Sequence, residues 1–175
     1  MMKHQDSACA TFAAGVALLI TATGGQAVAN ARPAPAAKPV QPAGEFAPSG
    51  AQIAAIFDKW NAALATGDPR RVAALYAPDA VLLPTTSSRI RTSHVQILDY
   101  FEHFLRKEPA GKKIQTIVQV LDCNSAIDAG VYRFTLMGKG GKRRSFDARY
   151  TYLYEKRGGT WLIVNHHSSV RPPDG

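Results

Sequence analysis

Apolar residues recur along this chain in two different periods, and the change of period divides it. Between positions 49 and 105 they fall at helical spacing: Ile53, Ile56, Phe57, Trp60, Ala63 and Leu64 form one stripe, and Ile97, Leu98, Phe101, Phe104 and Leu105 form another. Ser49 with Gln52, and Ser93 with Gln96, have the spacing of a capping box, so each stripe carries a start signal. Gly67 closes the first helix. Asp68-Pro69 caps and opens a short second helix bearing Val72, Leu75 and Tyr76, and Pro109-Ala110-Gly111 closes the third. Residues 79–83, Asp-Ala-Val-Leu-Leu, read as a short strand stopped by Pro84, and 85–92 as a polar loop.

Beyond Gly111 the period shortens to two. Strands are expected over 114–121, 126–137, 144–154 and 161–167, with turns at 138–141 and 157–159. The last two strands form a hairpin rich in Tyr, Thr, Val, Ile and Trp, the residue types that suit a pleated surface. Helices first and antiparallel strands afterwards predict an α+β fold. A curved antiparallel sheet packs on three N-terminal helices, giving the outline of a cone.

The segments outside this pattern have other compositions. Lys3 supplies a positive start, residues 10–20 are an apolar run, and Ala27-Val28-Ala29 fits a signal-peptidase site. The run falls short of the roughly 20 residues that span a membrane. Residues 1–29 are therefore expected to be a signal peptide, with cleavage near Ala29 and a periplasmic or secreted product. Cleavage leaves Cys123 as the one cysteine, which reads as a small buried hydrophobe. Residues 30–48 carry prolines at 33, 35, 39, 42 and 48 among alanines and read as an extended linker. The domain then covers 49–172, and 173–175 form a tail.

The chain has 21 Lys and Arg against 13 Asp and Glu, a formal net charge of +8. These charges are scattered as short clusters at 70–71, 112–113, 142–144 and 156–157, where turns or helix starts are expected. No aromatic stripe alternates with them, so the pattern does not predict a nucleic-acid surface. His166-His167 does not predict a metal site either, because neighbours on a strand point to opposite faces. No cofactor or metal is expected.

Several runs carry a family resemblance: 75–92 (LYAPDAVLLPTTSSRIRT), 100–105 (YFEHFL), 130–136 (GVYRFTL), 148–155 (ARYTYLYE) and 161–169 (WLIVNHHSS). Together with the element order they resemble the nuclear transport factor 2-like superfamily. The resemblance is to the group of the calcium/calmodulin-dependent protein kinase II association domain and to exported bacterial SgcJ/EcaC-type proteins. It spans essentially all of 50–172. It implies a cone whose helices close one mouth of a bent sheet around a central cavity, and a homo-oligomer, most simply a dimer formed through the sheet. Kinase activity is not implied, since the chain has neither a glycine-rich phosphate loop nor a catalytic-loop signature.

The association domain lines its cavity with arginines. Arg133 matches one such position by resemblance, while Tyr152 and Ser168 stand at two others. The resemblance also turns His166 and Ser168 inward with Val164 and Leu162, and Trp161, Ile163, Asn165 and His167 outward. The candidate ligand-binding residues are Arg133, Tyr152, His166, Ser168, Arg149 and Arg91, although alternation puts Arg149 on the face opposite Tyr152. An inward Arg133 needs a carboxylate, from a polar or anionic ligand or from Asp128 or Asp147 of the chain itself.

Three functions follow. The first is a small-molecule-binding, oligomerising domain. The second is an isomerase, dehydratase or cyclase with His166 as base and Tyr152 or Arg133 as a polarising donor. The third is an assembly module alone. The steroid isomerases of the superfamily place a base at the end of the first strand, where this chain has Pro84.

Overall fold

Ser49 accepts a hydrogen bond from the Gln52 amide at 3.2 Å, and the Gln52 side chain accepts one from the Ser49 amide at 2.8 Å. This complete capping box starts α1 (Gly50–Ala65) in a computed structural model that describes residues 47–173. The expected signal peptide and nearly all of the expected linker lie outside the described residues. Thr66 and Gly67 end α1, and Asp68 caps α2 (Pro69–Ala73). β1 (Tyr76–Leu83) follows, then α3 (His94–Phe104), capped by Ser93. The Gln96 side chain bonds to the Thr92 amide instead of completing a second box.

Four longer strands complete the chain: β2 (Ala110–Val120), β3 (Ser125–Met137), β4 (Arg143–Arg157) and β5 (Thr160–Val170). Ala110 and Gly111, expected to end the third helix, instead open β2. The sheet order is β1-β5-β4-β3-β2. Pairing is antiparallel from β2 to β5, and β1 joins the far edge in parallel. The expected α+β cone is present, with this parallel edge as its one departure from an antiparallel sheet. Gly158 and Gly159 link β4 to β5 with φ of +57° and +81°. Two successive positive-φ residues give a hairpin turn whose twist matches the strands, and glycine reaches that conformation without strain.

Three bulges shape the sheet. β1 inserts residues between its pairings at Tyr76 and Val81, where Pro78 has no amide to donate. β2 inserts Ile114 between Lys113 and Gln115. β5 inserts Val164, because Leu153 pairs with Asn165 and Tyr154 with Ile163. An extra residue reverses the phase of the strand beyond it. Ile163, expected outside, is therefore fully buried, and Leu162 pairs with Glu155 on the outer side. The β2 bulge brings the Gln115 carbonyl so close to β3 that a Cβ at Gly130 would lie 1.9 Å from it. Any side chain there would force the two backbones apart.

The three described α-helices lie on one face of the sheet. Ile53, Phe57, Trp60, Phe101 and Phe104 meet Tyr132, Phe134, Tyr150, Tyr152 and Tyr154 in a single core, joined by Val72, Ile97 and Ile163. Most of the rings pack tilted or edge-on, with Tyr132 and Phe134 centred 4.6 Å apart at 86°, while Tyr152 and Tyr154 stack at 8°. Cys123 is buried. Asn61 straps α1 to the start of β2 by donating to the Gly111 carbonyl at 2.9 Å and accepting from its amide at 3.1 Å.

Candidate functional site: the interior of the cone

β5 carries His166 and Ser168 on its inner face, paired with Tyr152 and Tyr150 of β4. Both are buried, His166 at 4 % exposure. They look into a cavity whose other walls include Trp60, Leu82, Thr85, Tyr100, Phe104, Tyr132 and Phe146. Thr86 and the half-buried Phe146 stand at its mouth. The space open to a water-sized group is about 20 Å³, within about 330 Å³ of unfilled volume that partly opens to solvent. One water needs about 10–15 Å³ by the same measure, so the closed interior holds one water-sized group.

The loop before α3 forms the rim because it is tied at its base. Leu82 and Arg91 exchange backbone hydrogen bonds at 2.8 and 2.9 Å, closing the segment between them. Thr85 then reaches Ser168, which also accepts the Tyr132 hydroxyl, and Thr86 bonds the Tyr100 hydroxyl at 3.2 Å. Burial pushes the Tyr132 phenol far up and that of Tyr100 up to about 12, so both stay protonated.

His166 is held by a relay. The Trp60 indole N–H donates to the Tyr76 hydroxyl at 3.1 Å, and that hydroxyl lies 2.8 Å from His166 Nδ1. The Tyr152 ring stacks on the imidazole with centroids 4.1 Å apart at 27°. Burial, with a smaller contribution from neighbouring His167, lowers the His166 pKa to about 3, so the ring is neutral at ordinary pH. Its Nε2 is buried without a hydrogen-bond partner, as is the Tyr152 hydroxyl.

The arginines lie elsewhere. Arg133 is not inward: it stands on the outer face with a 53 % exposed side chain and forms a two-pronged pair with Asp147 at 2.6 and 2.9 Å. Arg133 and Asp147 pair directly across β3 and β4, so the chain itself supplies the carboxylate. Arg149 is exposed on the same outer face. Arg91 sits behind the cavity wall, with its guanidinium 2.8 Å from Asp99 and 5.8 Å from the centre of the Tyr100 ring. Among the described residues no arginine lines the cavity. His167 is exposed on the outer face, opposite in direction to His166. Among the described residues no group of three His, Cys, Asp or Glu side chains could hold a metal ion.

Sequence reasoning missed Trp60, Tyr76 and Tyr132, while Thr85 belongs to the polar loop expected over 85–92. Trp60 and Tyr76 read only as apolar helix positions, and nothing local reveals that the Trp60 N–H meets the Tyr76 hydroxyl or that this hydroxyl meets His166, 90 residues further on. Tyr132 was within reach, because it shares its inward phase with Phe134 on β3.

A bent sheet closed on one side by helices around an aromatic interior defines the nuclear transport factor 2-like class. The chain belongs to the calcium/calmodulin dependent protein kinase II association domain family, whose pattern it matches over residues 49–172. A Xanthomonas campestris protein named for that association domain is 58 % identical, with a TM-score of 0.69 over 70 % of this chain and 88 % of that one. A nuclear transport factor 2-like protein from Salmonella enterica superimposes with a TM-score of 0.63 at 18 % identity, covering 72 % of this chain and 93 % of that one. A Streptomyces avermitilis member of the NTF2-like family bearing a dehydratase name gives 0.63 at 13 % identity, over 70 % and 96 % of the two chains. These last two share the fold. No curated protein matches the sequence.

Proposed function

We propose that this chain is an exported association domain that forms a homo-oligomer, most simply a dimer, through the outer face of its sheet. The observation that carries this reading is the distribution of the helices, all of which cover the inner face. Ile117, Ile127, Ala129, Val131 and Leu153 remain on the outer face without a covering layer among the described residues, and Ile117 is 60 % exposed. An apolar sheet face of this kind fits a second copy related by a two-fold axis. Membership of the association-domain family favours the same surface. Lys3, the apolar run and Ala27-Val28-Ala29 support export, and no described helix is long and apolar enough to cross a membrane.

Expressing the full chain and purifying it from the periplasm or medium tests both parts. The expected product begins at Asn30 by intact mass and runs as a dimer or larger ring by native mass spectrometry at micromolar concentration. Leu153→Glu, which buries a charge at the centre of the proposed contact, is expected to give a monomer with unchanged far-ultraviolet circular dichroism. A wild-type monomer would sink the assembly reading, and a product retaining residues 1–29 in the cytoplasm would sink export.

A second reading, binding of a small molecule in the cone, has its own support. His166 lines a largely aromatic cavity with Thr85 and Ser168, and its buried Nε2 has no hydrogen-bond partner within the protein. Binding is favoured over proton transfer because a histidine lowered to about 3 is a weak base at neutral pH, and no carboxylate lines the cavity to replace it.

A further inference from the structure

The two edges of the sheet are finished differently. The β1 edge is short and interrupted: Pro78 has no amide, a bulge separates Tyr76 from Val81, and the Arg91 backbone covers Leu82. β2 forms the other edge and, among the described residues, pairs with β3 alone. From Ile114 to Leu121 it has neither proline nor charge. Ile114, Ile117 and Leu121 are three of the six large apolar side chains exposed among the described residues. The Leu121 amide donates to the Ser125 carbonyl at 3.0 Å, so alternation turns the backbone of Gln119, Ile117 and Gln115 toward β3. The amides and carbonyls of Thr116, Val118 and Val120 therefore face the open edge. α1 lies over β2 at Gly50, beside Val118, and at Ala54, whose carbonyl accepts Lys113. Neither residue has a side chain long enough to cover that edge.

We propose that this edge pairs antiparallel with the same strand of a second copy, joining the two sheets into one. A symmetric pairing must be centred on a residue whose backbone faces outward. Centring on Val118 uses the whole open ladder: Val118 meets Val118 of the second copy, and Thr116 meets Val120 in both directions. The same register brings the exposed Lys112 of each copy to the end where Asp122 of the other lies. Asp122 is fixed there by the Asn124 amide at 2.7 Å. Opposite charges thus flank an apolar centre, which favours a second copy over a strand of unrelated sequence. The contact goes beyond the face-to-face dimer and does not depend on it, because pairing through the outer face leaves this edge open. One strand buries little area, so the edge is the weaker contact and acts between dimers, each of which carries two such edges.

The test is sedimentation velocity with residue-resolved hydrogen exchange on the full chain as exported, between about 5 and about 500 µM. The wild type is expected to pass from dimers to larger even-numbered species across this range, and Leu153→Glu from monomers to pairs. The Thr116, Val118 and Val120 amides are expected to exchange at least about tenfold more slowly at the upper concentration, with those of Gln115, Ile117 and Gln119 slow throughout. Val118→Pro removes an edge donor without breaking a bond to β3, and Leu121→Lys sets a like charge near Lys112 of the second copy. Both variants are expected to form face dimers that grow no further, with circular dichroism confirming that they fold. Larger species formed as readily by both folded variants as by the wild type overturn the inference. A wild type that stays a dimer at the upper concentration, with the three edge amides fast, overturns it and leaves the face-to-face reading standing. A wild type that stays a monomer removes both. Edge amides already slow in dilute Leu153→Glu would mean that another segment of the same chain covers the strand, which also overturns the inference.

Discussion

Asp128 is fully buried on the inner face of β3, where one carboxylate oxygen accepts the Tyr150 hydroxyl at 3.0 Å and the other meets no donor. Burial raises its pKa, against the lowering effects of the Tyr150 hydrogen bond and of Lys113, while Asp58 adds a further rise. A folded-state pKa above the unfolded value means that the fold binds the proton more tightly. Stability is therefore greatest below the unfolded pKa and declines as pH rises through the folded one. Asp128→Asn keeps an acceptor for Tyr150 and never ionises. The variant is expected to gain stability relative to wild type between pH 4 and pH 7, with the urea midpoints converging at the acid end. A loss in the variant that grows as pH rises would show instead that the second oxygen makes an ionic contact with Lys113. The sequence offered Asp128 and Asp147 equally as partners for Arg133, but position parity separates them. Arg133 and Asp128 are five residues apart on one strand and so face opposite ways, whereas Asp147 lies directly across on β4.

The longer elements were legible because each carries many consistent signals: caps at Ser49, Asp68 and Ser93, a helical stripe in α1 and α3, and the Gly-Gly turn between β4 and β5. What alternation alone could not show is the single inserted residue at Val164. Counting back from His166 by twos puts Val164 and Leu162 inside, whereas pairing with β4 puts Ile163 inside and Leu162 outside. No residue type at 164 announces the insertion, since valine suits a regular strand equally well. The two phases make opposite predictions about stability. Ile163→Ala removes a fully buried side chain between Tyr76 and Tyr154, and is expected to cost about 2–5 kcal/mol in urea unfolding. Leu162→Ala on the outer side should cost about 1 kcal/mol or less at the same protein concentration. The reverse order of the two midpoints would restore strict alternation and remove the bulge. The candidate site inherits this logic, because regular pairing from Asn165 onward is what turns His166 and Ser168 inward.

At the scale of the whole molecule, two properties of the proposed assembly oppose each other. Each chain carries a formal charge of +8, and removal of residues 1–29 leaves it unchanged because Lys3 and Asp6 cancel. Two copies brought together through their sheets therefore repel at long range. The contact that holds them would be made by Ile117, Ile127, Ala129, Val131 and Leu153, side chains whose attraction does not depend on charge. Outer-face charges do not change this balance in any evident way: Arg133 already satisfies Asp147 within its own chain, and Arg149 adds to the positive side. Salt screens the repulsion, with a Debye length of about 10 Å at 0.1 M falling to about 3 Å at 1 M, and leaves apolar burial intact or strengthens it. The dimer is therefore expected to tighten as sodium chloride is raised from about 0.05 to 0.5 M, with the dissociation constant from sedimentation equilibrium falling severalfold. An interface held by ion pairs between subunits would weaken over the same range. A rise in the dissociation constant with salt would thus place the contact away from the sheet centre, among the charged residues at the ends of the strands.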